Sequence, residues 1–276
     1  MTSTPDVTLN DGTTMPAVGF GTYPLTGQEA TDAVSDAIDI GYRLIDTAVN
    51  YRNEEAVGRA IAASGVPRDE LRITTKLPGR DHGYRETLRS CRESLQRLGL
   101  DYLDMYLIHW PLPKQNRYID TWRAFRQLQQ DGLVRSIGVS NFAAEHLAEL
   151  EREGGTGPAV NQIEVHPFFP QPNMLRVNSA LGIVTQSWSP LGRASGVVDD
   201  DRVTGIADAH SVTPAQVVLR WHVQRGAVPI PKSGTPERRR ANLDVFSFTL
   251  SDDEMSVLSA METGRLGGDP DVHEEF

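Results

Sequence analysis

Polar side chains suited to proton transfer end three short apolar runs of this chain. The three residues are Asp46, Lys76 and His109, and Tyr51 follows shortly after the first of them. The carboxyl ends of parallel strands meet at one rim of a barrel, and barrels of this kind carry their active sites there. If the runs are parallel strands, the four side chains therefore gather at one mouth.

These four side-chain types can together protonate a carbonyl oxygen. A phenol has an unperturbed pKa near 10, and a neighbouring ammonium lowers that pKa. We therefore predict a carbonyl-reducing site with Tyr51 as the proton donor. Lys76, held in place by Asp46, would tune the phenol, and His109 would orient the carbonyl. Such a site lacks only a source of hydride.

Taken singly, each of these residues has an ordinary structural explanation. Asp46 could cap a helix that starts near Asn53, and Lys76 could be a solvated strand end. Tyr51 could be a packing residue, and His109 could be a buried imidazole with satisfied hydrogen bonds. Four such coincidences at strand ends are harder to explain than one shared site.

Lys76 also fits a different reaction class, the Schiff-base chemistry of barrel aldolases. A Schiff-base lysine must be a neutral amine, so its pKa must fall. A neighbouring carboxylate has the opposite effect. The presence of Asp46 therefore weakens this alternative without removing it.

The hydride source needs a binding site, and the glycine fingerprint of a Rossmann fold is missing. Residues 19–21 carry two glycines but lack the third glycine and the helix that should follow. Other strand ends offer suitable groups. Ser140, Asn141 and Gln162 can hydrogen-bond a carboxamide, and Trp188 can provide a flat face for a nicotinamide ring.

A basic segment after the last predicted strand is typical of a phosphate site. Lys232 and a serine hydroxyl precede a helix start at residues 235–236, and Arg238 follows. Cations beside a helix N-terminus bind phosphate, and an arginine can also stack on a purine. The pattern favours NADP over NAD, although a solvated basic turn is an alternative. We expect Arg239 and Arg240 to be solvated only.

The elements that position these residues alternate between short β-type runs and helical stretches. This alternation predicts an α/β fold, a (β/α)₈ TIM barrel, with residues 1–276 as a single domain. Residues 7–9 and 13–15 flank Asn10-Asp11-Gly12, which predicts an N-terminal β-hairpin closing the barrel bottom. The predicted strands lie at residues 17–20, 42–46, 71–75, 103–108, 134–139, 159–163, 183–187 and 227–230.

Composition restricts the kinds of partner. The 276 residues carry a formal charge of −10, which argues against nucleic acid or an anionic membrane as a partner. No apolar run approaches the roughly 20 residues of a membrane span, and the first residues do not resemble a signal peptide. The histidines lack metal-ligand spacing, so we expect no metal.

The single cysteine and two helix-start patterns give further expectations. Cys91 falls on a helical stripe, which predicts burial, and one cysteine suits a reducing compartment. We therefore expect a cytoplasmic protein, and we expect a monomer. Thr213 and Ser251 each begin a capping box and predict helix starts. The residues from Gly264 onward are rich in glycine and acid, and could fold over the mouth as a loop.

Three segments resemble the signatures of the aldo-keto reductase family. The sequences are GYRLIDTA at 41–48, RSIGVSNF at 135–142 and IPKS at 230–233, with further matches at 161–162 and 187–192. The resemblance runs from about Thr8 to Glu262. Short loops at 111–118 and 193–200 make the chain similar to the bacterial group that includes 2,5-diketo-D-gluconate reductases.

The resemblance implies a (β/α)₈ barrel that binds NADPH across its mouth and reduces aldehydes and ketones, including small dicarbonyl and sugar-derived compounds. It implies the catalytic roles given above for Tyr51, Asp46, Lys76 and His109. By the same resemblance the cofactor contacts are Ser140, Asn141 and Gln162 at the carboxamide, Trp188 at the nicotinamide, Ser189, Leu191 and Gly192 at the pyrophosphate, Lys232, Ser233 and Arg238 at the 2′-phosphate, and Asn242 at the adenine. The expected pocket walls are Tyr23, Asn50 and Trp110.

Two positions depart from the family pattern. Residue 241 is Ala, where members commonly carry Glu or Gln, so one adenine contact would be lost. Residue 234 is Gly, where relatives often carry a branched residue. A second alternative to the reductase function is a regulatory barrel. Such members of the family bind NADPH as a redox sensor and dock on a partner protein. The intact set of four polar residues argues against it.

Overall fold

Within residues 4–275, which the computed structural model describes, eight parallel strands curl into one sheet and alternate with helices. The strands are β1 Asp6–Thr8, β2 Thr14–Pro16, β3 Phe20–Gly21, β4 Leu44–Asp46, β5 Arg72–Leu77, β6 Leu103–Ile108, β7 Val134–Ser140, β8 Val160–Glu164, β9 Val184–Trp188 and β10 Val228–Pro229. The α-helices are α1 Gly27–Ile40, α2 Glu54–Ala63, α3 Tyr84–Leu98, α4 Tyr118–Gln130, α5 Ala144–Glu153, α6 Pro172–Ala180, α7 Asp201–His210, α8 Pro214–Gln224, α9 Pro236–Leu243 and α10 Asp252–Ser259. Short 3₁₀ turns lie at Val49–Tyr51, Arg68–Glu70, Gly79–Asp81 and Val197–Asp199.

The sheet closes into a barrel. Strands β3 to β10 are neighbours in chain order. Backbone hydrogen bonds then join the two ends, because the N–H groups of Gly19 and Gly21 donate to the carbonyl oxygens of Pro229 and Pro231, each at 3.0 Å. The predicted (β/α)₈ fold is confirmed, and all eight carboxyl ends share one rim.

The core has one layer of side chains inside the barrel and a second layer between the sheet and the surrounding helices. Strand β6 is buried along its whole length, as expected when helices cover one face and barrel side chains fill the other. Leu44, Leu107, Val160 and Ile230 fill the barrel interior. Side chains between the strands and the helices form the larger outer layer.

The N-terminal hairpin closes the bottom of the barrel, as predicted. Strands β1 and β2 pair antiparallel, and Leu9 and Met15 pack against the interior side chains. The Thr13 hydroxyl lies 2.8 Å from that of Ser136 at the start of β7, and Arg72 donates to the Thr14 carbonyl oxygen at 3.0 Å. The amino ends of the strands are therefore covered, which leaves the carboxyl ends as the open mouth.

Local signals placed several elements correctly. The Thr213 and Ser251 hydroxyls accept from the backbone N–H groups three residues later, and α8 and α10 start immediately after them. Helix α9 begins at Pro236, as predicted. Cys91 is fully buried, so it is a packing residue.

Every predicted strand except β6 has different bounds in the structure, and β7, β8 and β9 differ by one residue at one or both ends. The first strand covers only Phe20–Gly21, and the second begins at Leu44. Strand β5 continues to Leu77, so Lys76 lies inside a strand rather than after it. The last strand is limited to Val228–Pro229, where prolines supply no backbone N–H.

No helix in residues 4–275 combines the length and hydropathy that crossing a membrane would require. The same residues contain no group of three or more His, Cys, Asp or Glu side chains arranged to hold a metal ion.

Candidate active site

The ammonium of Lys76 lies at the centre of a buried polar cluster at the barrel mouth. Its Nζ atom is 2.5 Å from Asp46 Oδ1, 3.0 Å from the carbonyl oxygen of Thr47 and 3.3 Å from the Tyr51 hydroxyl. An ammonium has three donors, so each N–H has a partner. The side chain is 1% exposed. The end of β4, the end of β5 and the 3₁₀ turn at Val49–Tyr51 thus bring three of the predicted residues together.

Lys76 is held in its charged form. Burial lowers the pKa of Lys76, but the Asp46 carboxylate and the Tyr51 oxygen raise it, and the net direction is upward. A Schiff-base lysine needs the opposite shift. The geometry therefore argues against the aldolase alternative.

Asp46 does not cap a helix. Helix α2 begins at Glu54, and the residue before it, Asn53, has no side-chain capping bond. Both carboxylate oxygens of Asp46 have other partners, Lys76 at 2.5 Å and the Gln162 amide nitrogen at 2.8 Å. The explanation of Asp46 as a simple cap is therefore wrong.

The phenol of Tyr51 differs from expectation in the direction of its pKa. Burial raises the pKa of Tyr51 above 10 and is the largest effect. The Lys76 ammonium lowers that pKa in part, while the Asp46 carboxylate raises it. The prediction included the ammonium and its carboxylate partner but not the burial of the phenol, which outweighs the effect of Lys76 on the pKa of Tyr51. Tyr51 consequently keeps its proton at neutral pH and can donate it.

His109 follows β6 and faces the phenol. Its ring stands edge-on to that of Tyr51, with centroids 5.9 Å apart. Its backbone N–H donates to the carbonyl oxygen of Leu77 at 3.2 Å, which fixes the residue beside β5. Its Nδ1 lies 3.0 Å from Oε1 of Glu275, but the contact does not have hydrogen-bond geometry, and this nitrogen has no other partner among the described residues.

Ser140, Asn141 and Trp188 lie together on the next strand ends. Asn141 has a left-handed backbone (φ 62°), and its amide nitrogen donates to the His109 carbonyl oxygen at 2.9 Å. Its amide oxygen accepts from the Trp188 indole N–H at 2.8 Å. The Ser140 hydroxyl donates to the backbone oxygen of Gln162 at 2.8 Å. These contacts fix the orientation of the predicted carboxamide-binding groups and of the indole.

Gln162 joins this group to the Lys76 cluster. Besides its bond to Asp46, its amide nitrogen donates to the Gln186 side-chain oxygen at 2.9 Å. The Asp46 bond could not be predicted from local sequence, because Gln162 is 116 positions away. The groups predicted to bind a carboxamide and those predicted to move a proton thus form one network.

The predicted phosphate turn lies farther along the mouth, at the start of α9. Lys232 and Arg238 are exposed, and within residues 4–275 neither forms an ion pair. Ser233 is buried, and its hydroxyl accepts from the backbone N–H of Thr235 at 3.2 Å. A Cβ added at Gly234 would meet no atom within 4 Å, so the turn is open to solvent. Two unneutralised cations beside a helix N-terminus suit a phosphate dianion.

Arg239 is not a solvated residue, which corrects the prediction. It is 4% exposed, and its guanidinium lies 2.6 Å from the Asp36 carboxylate on α1. It also donates to the Ser233 carbonyl oxygen at 3.0 Å. Its neighbour Arg240 has a side chain that is 55% exposed, as predicted, although it also lies 3.9 Å from the Asp36 carboxylate. The distinction depends on a partner far away in the chain, which local sequence does not indicate.

One continuous cleft of about 1290 Å³ connects these groups. The residues predicted for the site that line it are Tyr23, Asp46, Asn50, Tyr51, His109, Trp110, Ser140, Asn141, Gln162, Trp188, Ser189, Leu191, Lys232, Ser233, Arg238 and Asn242. Lys76 lies beneath this lining, and Gly192 lies beside it. The Tyr23 ring contacts that of Tyr51, with centroids 5.1 Å apart. Ala241, which departs from the family pattern, also lines the cleft.

The segment 264–275, called the tail below, lies over the mouth. The backbone N–H groups of Leu266 and Gly267 donate to the two carboxylate oxygens of Glu164, at 2.7 and 2.9 Å. His273 packs on Trp110 with ring centroids 4.0 Å apart. Sequence reasoning missed Glu164 and the acidic residue Glu275, which also lines the cleft. The only signal was the acidic composition of the tail.

Comparison with known proteins identifies the family. The model of the aldo/keto reductase family matches residues 17–262. The 2,5-diketo-D-gluconic acid reductase B of Corynebacterium sp. (strain SHS752001) is 52% identical over 277 residues, covering 100% of both chains. A solved aldo/keto reductase from Brucella melitensis is 44% identical with a TM-score of 0.91, over 94% of this chain and 100% of that one. A variant of Gox0644 in complex with NADPH is 43% identical with a TM-score of 0.94, over 99% of each chain. The chain therefore belongs to the aldo-keto reductase family of NADP-dependent oxidoreductases.

Proposed function

We propose that the chain reduces aldehydes and ketones with NADPH, and that Tyr51 is the general acid. The observation that carries the proposal is the position of the Lys76 ammonium, 2.5 Å from Asp46 and 3.3 Å from the Tyr51 hydroxyl. NADPH, when bound, supplies a hydride to the carbonyl carbon. The protein must then supply a proton to the carbonyl oxygen, and the product is an alcohol.

Tyr51 can supply that proton because its phenol is neutral. Burial raises the pKa of Tyr51, so the proton is present throughout the physiological range. When the proton leaves, the phenolate develops beside a permanent ammonium. Lys76 stabilises that charge, and Asp46 keeps the ammonium charged and in place. This division of roles explains why three ionisable groups are buried together.

His109 would orient the carbonyl. Its ring stands edge-on to the phenol, and both side chains line the same end of the cleft. A ring N–H that donates to the carbonyl oxygen would hold that oxygen near the phenolic proton. The residue thus positions the substrate, while Tyr51 transfers the proton.

The cleft fits an extended dinucleotide. Lys232, Ser233 and Arg238 would hold the 2′-phosphate, and neither cation has an acidic partner within residues 4–275. The remaining groups follow the resemblance: Ser140, Asn141 and Gln162 at the carboxamide, Trp188 against the nicotinamide, Ser189, Leu191 and Gly192 along the pyrophosphate, and Asn242 at the adenine. Ser189 has a left-handed backbone (φ 48°) at the point where the chain turns along the cleft.

The substrate class we propose is small dicarbonyl and sugar-derived carbonyl compounds. Tyr23 and Trp110 provide aromatic walls at the carbonyl end, and Asn50 provides an amide. The Corynebacterium relative is named for a diketo sugar acid, which supports the dicarbonyl class. Because one chain supplies every residue of the site, we also propose that it acts as a single-domain monomer. The single cysteine, which suits a reducing compartment, supports a cytoplasmic location.

The direct test is a panel of aldehydes, ketones and dicarbonyls with NADPH, followed by loss of NADPH absorbance. Turnover of several small carbonyls, with NADH much poorer, is the expected result. Tight NADPH binding without turnover of any compound would favour a regulatory barrel. Trapping of a substrate on Lys76 by borohydride, without a need for NADPH, would favour a lyase.

A further inference from the structure

We propose that Glu275 is a specificity-determining residue whose carboxylate lowers the use of anionic carbonyl compounds relative to neutral ones. This inference rests on the proposed function, since it concerns substrates of the same site. It depends on a carboxylate that the tail carries into the cleft. None of the proton-transfer steps uses that carboxylate.

The tail holds Glu275 at the carbonyl end of the cleft. The Glu275 Oε1 atom lies 3.0 Å from Nδ1 of His109, although the contact lacks the direction of a hydrogen bond. The side chain is 17% exposed, and its second oxygen, Oε2, is buried without a hydrogen-bond partner in the described part of the chain. A carboxylate that is only partly neutralised therefore lies beside the group that orients the substrate.

Two further contacts show that this position is built into the fold. A Cβ added to Gly79 would lie 2.2 Å from the backbone oxygen of Glu275, so the tail approaches the turn after β5 as only glycine allows. At the other end of the tail, the buried carboxylate of Glu164 accepts the N–H groups of Leu266 and Gly267. The tail is thus fixed at both ends of its path.

The lysine and arginine side chains near Glu275 make their contacts with other groups. The Lys114 ammonium pairs with Glu274 at 3.4 Å, and Arg80 donates to the Asn50 amide oxygen at 2.7 Å. Lys76 is neutralised by Asp46. His273 packs on Trp110 and His82 is buried, and the pKa of His82 is lowered to about 4, so His82 is neutral.

Glu275 itself stays ionised at neutral pH. Burial raises its pKa, but contacts with His109 and Asn50 and the charge of His273 lower it, and the net direction is downward. A second carboxylate on the substrate would enter the same poorly hydrated space. Two like charges about 8 Å apart repel each other enough to weaken binding by about tenfold, allowing for screening.

The test compares 4-formylbenzoate with its methyl ester in wild type, Glu275→Gln and the neighbouring control Glu274→Gln. The preference is the kcat/KM of the ester divided by that of the acid. Comparing this ratio between variants cancels the difference in intrinsic reactivity of the two aldehydes. We expect the preference to fall about tenfold in Glu275→Gln, mainly by better use of the acid, and to change less than twofold in Glu274→Gln.

Gly79→Ala provides an independent perturbation, because it should displace the tail without altering its charge. It should reduce the preference in the same direction as Glu275→Gln. An unchanged ratio in Glu275→Gln would overturn the proposal. Equal loss of activity with both aldehydes would also overturn it, because Glu275 would then support His109 rather than select charge.

A binding measurement separates this inference from the proposed function. The tryptophans of the cleft, Trp110 and Trp188, allow both aldehydes to be titrated on the NADP⁺-loaded protein by fluorescence. The ratio of their dissociation constants should shift about tenfold in Glu275→Gln even if neither aldehyde is turned over. Absence of turnover would contradict the proposed reaction, whereas an unshifted binding ratio would contradict the role of Glu275.

Discussion

The guanidinium of Arg239 joins helix α9, at the cleft, to helix α1 through Asp36. Its Nε atom lies 2.6 Å from Oδ2 of Asp36, 203 positions earlier in the chain. Its Nη1 atom donates to the carbonyl oxygen of Ser233, and the carbonyl oxygen of Arg239 accepts from the Tyr42 hydroxyl at 3.0 Å. Arg239 therefore fixes the predicted phosphate turn to the barrel wall.

Arg239 and Arg240 form a matched pair for stability measurements. Arg239→Ala should lower the free energy of unfolding by about 2 kcal/mol, because it removes the close partner of Asp36 and the donor to a turn carbonyl. This value is below that of a fully buried pair, since the Asp36 side chain is 27% exposed. Arg240→Ala should change the free energy of unfolding by less than about 0.5 kcal/mol. Urea denaturation of both variants provides the comparison, and equal effects would be inconsistent with the contacts described.

Lys232 and Arg238 should discriminate between the two nicotinamide dinucleotides. Replacing both with Ala removes two cations that would pair with the 2′-phosphate, each contributing about 1.5–3 kcal/mol. We expect NADPH affinity to fall by about a hundredfold or more, and NADH affinity by less than about threefold. Isothermal titration calorimetry with both cofactors measures this, with Arg240→Ala as a charge control. Similar losses for NADPH and NADH would refute the assignment of the phosphate turn.

His82 should make the fold sensitive to mild acid. It is 1% exposed, neither ring nitrogen has a hydrogen-bond partner in the described chain, and burial lowers its pKa to about 4. The unfolded chain takes up a proton below about pH 6.5, whereas the folded chain does so only near pH 4. The part of the unfolding free energy that depends on neutral His82 is therefore fully present above pH 6.5. It is lost as the pH falls toward 4.

The contribution of His82 to this loss should be about 3 kcal/mol. His82→Leu, which cannot be protonated, should flatten the decline in unfolding free energy between pH 6.5 and 4. Above pH 7, the difference in unfolding free energy between wild type and variant should not depend on pH. Parallel pH profiles across the whole range would show that His82 does not carry the effect.

Local sequence was sufficient to predict the barrel and the residues at its mouth. The carboxyl ends of parallel strands must share a rim, so Asp46, Lys76 and His109 could be placed together before their distances were known. Capping boxes fixed the starts of α8 and α10 in the same way, because a capping box involves only neighbouring residues.

Features that depend on distant partners could not be predicted. The burial of Arg239 requires Asp36, and the second bond of Asp46 requires Gln162. The direction of the Tyr51 pKa shift depends on burial, which the sequence does not quantify. Glu275 lies in a tail without periodicity, so only the folded chain shows that it reaches His109.

The measurement that tests the account most directly is turnover of Tyr51→Phe under saturating NADPH. The substitution removes only the phenolic oxygen, so the ring and its contact with Tyr23 are kept. We expect the reduction rate to fall by at least about a hundredfold, with the NADPH dissociation constant unchanged within about twofold. A variant that reduces carbonyls at nearly the wild-type rate would contradict the assignment of Tyr51 as the proton donor.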